Sequence, residues 1–274
     1  YMDKPGLKIY INDTLCDVAL GTTLAQARAC FHPKATAAIL NTVPNPHPGT
    51  ILQDHDRLYL YTHQADFENT TFQELIFARQ PHAATEKLRT ACIGIAGAGG
   101  LGSVVAENLA RAGVGRLVIA DYDFIEPSNL NRQRFRLRQL GLPKAAALAE
   151  NLRECCPLVE TDIVQERIST DNCVRVFNTC AIVCECFDAA ENKATLVTAL
   201  RAQMPECIII AASGLAGCGS ARSITIRRVS ASLYVVGDMN SDVNSGMGLF
   251  APRVGIVASL QAHVALQLIL GEQI

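Results

Sequence analysis

Positive charge is in short supply: 24 Lys and Arg face 26 Asp and Glu, giving a formal net charge of −2. No global basic field exists, which argues against nucleic acid as a partner. The six histidines form no H-x-x-x-H pair and no triad-like cluster, so they read as structural or surface residues. Internal repeats and low-complexity tracts are absent. No stretch is apolar enough to suggest a membrane partner. The longest such run, 254–270, is interrupted by Gln261, His263 and Gln267 and reads as a buried helix. No secretory signal opens the sequence. The eleven cysteines, an odd number, lie scattered through apolar segments such as "CAIVCECF". That distribution fits reduced thiols in a long, core-rich chain rather than a disulfide scaffold, and the expected location is cytoplasmic.

What is present is ample core material: 274 residues, 49% of them hydrophobic, enough for one large core and a small second one. Residues 6–63 predict the smaller unit. "LKIYIN" and "LCDVAL" read as strands around the turn "DT". "TTLAQARACF" reads as a helix capped by Thr22 or Thr23, with Leu24, Ala27 and Phe31 on one face. "AAILN" is a short strand, "PNPHPG" a loop, and "DRLYLYTH" a closing strand. This β-β-α-β-β order, with "NDT", "GTTLAQ" and "DHDRLYLY", resembles the β-grasp or ubiquitin-like fold, and within it the ThiS-like sulfur carriers of thiamine biosynthesis. The expected organisation is a β-grasp domain over 1–64, a helical linker over 65–90, and a larger α/β domain over 91–274.

From residue 91 the pattern becomes strand, glycine turn, helix, repeated. "TACIGIAG", "RLVIADYD", "VETDIVQERI", "AIVCECFD" and "CIIIAASG" read as strands, with helices between them. Such alternation predicts a Rossmann-like, mostly parallel sheet flanked by helices. "RSITIRRVS" and "SLYVVGD" sit close enough together to pair antiparallel.

"IAGAGGLGS" places Gly97, Gly99 and Gly102 in a G-x-G-x-x-G pattern between a strand and a helix. Gly97 permits a tight turn, Gly99 and Gly100 admit a phosphate, and the helix start offers free N–H groups. Asp121 ends the next strand, where a carboxylate can accept ribose hydroxyls. These features alone fit NAD, FAD or ATP almost equally. The following stretch, "DYDFIEPSNLNRQRF" and then "GLPKAAA", adds Arg132, Arg134, Arg136, Arg138 and Lys144. A dinucleotide pyrophosphate is served mainly by backbone amides, whereas a triphosphate needs side-chain cations, so the surplus favours ATP. Arg136 and Arg138 also fit a solvated face.

"GAGGLGS", "GVGRLVIADYD", "SNLNRQ" and the later "ECFDAAENK" resemble the superfamily that activates ubiquitin-like proteins, including ThiF, MoeB and HesA. The likeness runs from about residue 88 to the C-terminus, and the tail looks like a shorter ThiF branch. It implies ATP-dependent adenylation of the C-terminal glycine of a ThiS-like, ubiquitin-like sulfur carrier ending in Gly-Gly. Carried over, Gly97, Gly99, Gly100 and Gly102 would line the phosphates and Asp121 would hold the ribose. Ser128, Asn129, Asn131, Arg132 and Gln133 would border the nucleotide. Lys144 would neutralise the reacting phosphate, and Asp188 would hold Mg²⁺. Arg79 would be lent across a homodimer interface.

Two departures stand out. Ala189 replaces the usual Asn after the acid. The C-x-x-C pairs of zinc-bearing relatives are missing, since Cys155-Cys156 and Cys184-x-Cys186 have the wrong spacing, so no zinc is expected. Cys218 lies in a glycine-rich turn, Cys184 and Cys186 in a strand, and none is assigned as a nucleophile. The smaller unit runs on into the chain without a free carboxylate, so it cannot itself be adenylated. Three alternatives remain at this level: a related activating enzyme for another carrier in a molybdopterin or other sulfur pathway, a nucleotide-binding module without turnover, and a nicotinamide-dependent oxidoreductase.

Overall fold

A computed structural model describes residues 6–62, 75–242 and 245–274. The chain divides into two units, Tyr1–Thr85 and Glu86–Ile274.

In the first unit, β1 (Gly6–Ile11) turns through Asn12 and Asp13 into β2 (Thr14–Ala19). Helix α1 (Leu24–Phe31) starts at Thr23. The Thr23 hydroxyl accepts from the Gln26 N–H, and Gln26 returns its side-chain oxygen to the Thr23 N–H, a reciprocal cap. Strands β3 (Ala37–Leu40), β4 (Val43–Pro44) and β5 (Arg57–Tyr61) complete a sheet of order β2-β1-β5-β3-β4. Its two central strands, β1 and β5, are parallel. Pro44, expected in a loop, pairs with Ile39 at the sheet edge, where its missing N–H costs no ladder bond. Ile9, Leu24, Leu52, Leu58 and Leu60 fill the core between sheet and helix.

Of the expected linker helices, the first falls largely outside the described residues. The second is α2 (His82–Arg89). The boundary between the units falls within α2, between Thr85 and Glu86.

The second unit is built on seven strands: β6 (Cys92–Ala96), β7 (Arg116–Ala120), β8 (Glu160–Val164), β9 (Ile182–Glu185), β10 (Ile208–Ala212), β11 (Thr225–Ser230) and β12 (Leu233–Gly237). Their order is β11-β12-β10-β9-β6-β7-β8. Every neighbouring pair is parallel except β11 with β12, the antiparallel pair anticipated from sequence. Alternate residues of each strand serve opposite faces. Leu117, Ile119, Ile182, Ile210 and Val236 join one core with α3 (Gly102–Ala112), α4 (Lys144–Cys155) and α7 (Ala251–Leu270). Val118, Val183, Ile209 and Leu233 join the other with α5 (Cys173–Phe177) and α6 (Ala190–Gln203). Helix α7 has the length and hydropathy of a membrane span. Val254, Val257, Ala258, Ala262, Val264 and Ala265 nevertheless bury one side of it in the first core.

The chain runs outward from β6 through β7 to β8, then crosses back to β9 and runs the other way. The strand order therefore reverses between β6 and β9. In an open parallel sheet the C-terminal ends at such a point leave a crevice.

Candidate active site

An open cleft occupies that crevice. Its first wall is the turn after β6. Gly97 adopts φ +98°, and a Cβ there would lie 2.9 Å from the Cys186 carbonyl oxygen. At Gly99 an added Cβ would meet only Gln133 Nε2, at 3.7 Å, so this position is open to the cleft. Gly102 behaves differently. An added Cβ would collide with the Gly97 carbonyl oxygen, and Gly102 is not part of the cleft wall. Its missing side chain lets α3 close against the turn. Helix α3 begins without a side-chain cap; its Ser103 and Val104 N–H groups turn back to the Gly99 and Leu101 carbonyls, while those of Gly99, Gly100, Leu101 and Gly102 remain available to an anion.

Asp121, just beyond β7, is 8% exposed and lines the cleft. Its Oδ2 accepts from the Ala98 N–H at 2.6 Å and its Oδ1 from the Asp123 N–H at 2.8 Å. Burial pushes its carboxyl above the usual range, opposed by those two donors and by the Lys144 charge. The carboxylate thus fixes the glycine turn before it meets any ligand. Lys144, the first residue of α4, is buried, and its Nζ lies 2.8 Å from Asp123 Oδ2. The pairing leaves the ammonium at the cleft wall with spare donors.

Arg132 packs its stem beside Gly100, and its Nη1 donates to Ser128 O and Asn131 Oδ1. Gln133 is 7% exposed, lines the cleft, and keeps a buried Oε1 with no partner. Ser128, Asn129 and Asn131 lie outside the cleft wall. Asn129 spends its Oδ1 on the Glu126 N–H, capping a short helical turn, while Ser128 and Asn131 hold Arg132. Arg79 is exposed and belongs to the first unit.

The opposite wall follows β9. Asp188 is exposed at the cleft, its Oδ1 accepting from the Ala189 N–H at 2.8 Å. Beneath it lies a pair that the sequence reading missed. Glu185, at 0% exposure, binds Lys193 Nζ through both oxygens at 3.1 and 3.0 Å. Its Oε1 also accepts from the Phe187 N–H at 2.7 Å. Burial pushes the Glu185 carboxyl up, and Lys193 opposes that rise. Gln261 of α7 donates to the Glu185 and Ile210 carbonyls at 3.0 Å each, tying the ends of β9 and β10 together. The turn carrying Asp188 is therefore held from below and behind. Arg167 and Asn192, bonded at 3.3 Å, complete the wall.

A third support comes from α7. Arg253 is 6% exposed and donates to Gly219 O, Ser220 O and Asp238 Oδ2. It anchors the loop bearing the exposed Cys218. Burial raises the Asp238 carboxyl, but the Ser241 and Asn240 N–H groups, the Ser241 hydroxyl and Arg253 outweigh it, holding the group at about 2.

The cleft suits an anionic ligand: the unbonded N–H groups of Gly99, Gly100 and Leu101 are flanked by Arg132 and Lys144, with Asp188 opposite. Among the described residues, no cluster of three or more His, Cys, Asp or Glu could hold a metal unaided. One exposed carboxylate fits Mg²⁺, a hard cation that takes one or two carboxylates and completes its shell from phosphates and water.

Comparison with known proteins agrees with this geometry. Ubiquitin-like modifier-activating enzyme 5 of Gallus gallus is 44% identical over 85 residues, 31% of this chain and 21% of that protein. The Bombyx mori enzyme of the same name is 35% identical over 125 residues, 42% of this chain and 32% of that protein. The match thus spans about a fifth to a third of the length of these relatives. Among solved structures, E. coli tRNA N6-threonylcarbamoyladenosine dehydratase, TcdA, in complex with ATP superposes with a TM-score of 0.67 at 21% identity, covering 76% of this chain and 98% of that one. E. coli MccB with ATP gives 0.55 at 22% identity, covering 73% and 62%. These two likenesses show the fold. A family model described as the ThiF family matches residues 72–274, and the chain belongs to that family.

Proposed function

We propose that this chain uses ATP to adenylate the C-terminal carboxylate of a small ubiquitin-like sulfur carrier ending in Gly-Gly, in thiazole formation for thiamine. The observation that carries the reading is the gathering of Arg132, Lys144 and Asp188 around the glycine turn at the point of strand reversal. The ThiF family makes ATP-dependent activation the coarse expectation. MccB solved with ATP and with MccA, and relatives named for ubiquitin-like modifiers, support a protein or peptide as acceptor.

The chemistry matches the residues. A C-terminal carboxylate, with a pKa of roughly 3.5, is already ionised at neutral pH, so no general base is needed. The barrier is repulsion between two anions, together with the in-line alignment they require. Lys144 and Arg132 reduce the repulsion, and the uncapped start of α3 receives phosphate oxygens. Gln133 lines the cleft with its Nε2 beside Gly99, a donor for an anionic ligand. Asp188 would hold Mg²⁺, which when bound supplies charge neutralisation at the phosphates. A second copy of the chain would lend Arg79, making the working form a homodimer in the cytoplasm.

The first unit supports the same setting. Its strand order, with β1 and β5 parallel and one helix, supports reading it as a β-grasp domain. Joined to the rest of the chain, it serves as a retained carrier-like domain for partner selection.

ATP–pyrophosphate exchange against a panel of carriers ending in Gly-Gly tests the proposal. Exchange with a thiamine-type carrier is expected. ATP binding without exchange for any carrier would leave a nucleotide-binding module instead, and NAD binding in place of ATP would point to an oxidoreductase.

A further inference from the structure

The opposite end of the large sheet, where β6 and β9 begin, carries a different chemistry. Cys92 opens β6, and Cys180 stands two residues before β9, the strand that pairs with it. Their sulfur atoms are 3.8 Å apart. Thr179 Oγ1 lies 3.6 Å from Cys92 Sγ. Cys92 is half-buried and reachable from solvent, whereas Cys180 is only 3% exposed. Arg116, at the start of β7, adds a positive charge nearby, partly offset by its partner Asp162. None of these residues touches the nucleotide cleft.

We propose that Cys92 and Cys180 form a dithiol modification site, at which Cys92 takes up a low-molecular-weight disulfide of the glutathione class and Cys180 resolves it to an intrachain disulfide. A small reorientation of two side chains, one opening β6 and the other just before β9, brings sulfurs at this separation within bonding distance.

The roles of the two thiols differ. The hydrogen bond from Cys180 holds the Cys92 sulfur well below the ordinary thiol range, against a smaller opposing effect of burial and with help from Thr179. The same bond, together with burial, pushes Cys180 up. Cys92 is therefore the attacking thiolate. It displaces one thiolate from the small disulfide and becomes a mixed disulfide. Its negative charge is then gone, and with it the interaction that kept Cys180 protonated. Cys180 releases its proton to solvent and attacks the Cys92 sulfur, expelling the second small thiolate. Two electrons pass from the protein to the reagent, and two small thiols are released for each disulfide formed in the chain.

The test is incubation of the full chain with oxidised glutathione, followed by alkylation and peptide mapping. In the parent chain, a disulfide-linked pair of peptides holding Cys92 and Cys180 is expected, two hydrogens lighter than the free pair. In Cys180→Ser the reaction should stop at glutathione bound to Cys92. In Cys92→Ser neither product should form, and Cys180 should stay free. Far-UV circular dichroism checks that each variant folds. The proposal is overturned if Cys92 stays unmodified in the folded parent and in Cys180→Ser. It is equally overturned if the parent accumulates the mixed disulfide without closing the bond to Cys180.

Discussion

Lys193→Met is the perturbation whose outcome the structure constrains most tightly. It removes the ammonium from a carboxylate that has no solvent exposure, leaving Glu185 only the Phe187 N–H at 2.7 Å and the Ala212 N–H at 3.4 Å. Stripping one partner from a buried ion pair costs about 3–5 kcal/mol. The two remaining donors keep the expected loss near the lower end, about 3 kcal/mol. For a unit of this size, that lowers the melting midpoint by about 6–12 °C. The penalty also carries a pH signature. Burial already pushes the Glu185 carboxyl above the ordinary carboxylate range, and without Lys193 it rises further. A carboxyl raised on folding stabilises fully below its unfolded pKa and loses that contribution as pH climbs toward the folded value. The deficit relative to the parent should therefore shrink on acidification and grow as pH rises above the range of an unfolded carboxyl. Melting followed by circular dichroism from acid to alkaline pH reads both quantities. A variant that melts with the parent at the alkaline end, or whose deficit grows on acidification, refutes the reasoning. Combining Lys193→Met with Glu185→Gln should recover part of the loss, because no charge is then stranded.

Other expectations follow from the same cleft. Lys144→Ala and Asp188→Ala should each lower carrier-dependent pyrophosphate exchange by about 100-fold or more, the usual effect of removing one preorganised electrostatic contact. Far-UV circular dichroism of both should match the parent. Gly99→Ala and Gly102→Ala should separate binding from folding. At Gly99 the methyl enters the cleft, so ATP affinity measured by calorimetry falls while stability shifts by less than about 1 kcal/mol. At Gly102 it strikes the Gly97 carbonyl, and the second unit loses about 2 kcal/mol or more. Arg253→Met should free the loop that ends near the exposed Arg222, raising tryptic cleavage there at least about tenfold, as loss of one or two hydrogen bonds would do.

The sequence disclosed the frame more readily than the supports. Short apolar strands, the glycine turn and the helices between them were legible because each is a local pattern. Even the β11–β12 pair was visible, since its two strands are neighbours in sequence. The Glu185–Lys193 pair was not, because it joins the end of a strand to the first turn of the next helix. Arg253 escaped notice for a similar reason: Gly219 and Asp238 lie in separate loops, brought together only by folding. The run from Ser128 to Gln133 illustrates a different limit. A motif names residue types without saying which atoms are already in use. Asn129 caps its own turn, whereas Gln133, on the cleft wall, leaves its buried Oε1 unmet.

Asp121 bears on how this molecule meets its ligand. Both of its oxygens are engaged by amides of the neighbouring turns, so the loop reaches its working shape when the protein folds, not when a nucleotide arrives. An incoming molecule then gives up only its own freedom of movement and finds a seat already prepared. Loosening that seat, as Asp121→Ala would, should leave the surrounding framework standing while every encounter has to rebuild the cradle afresh.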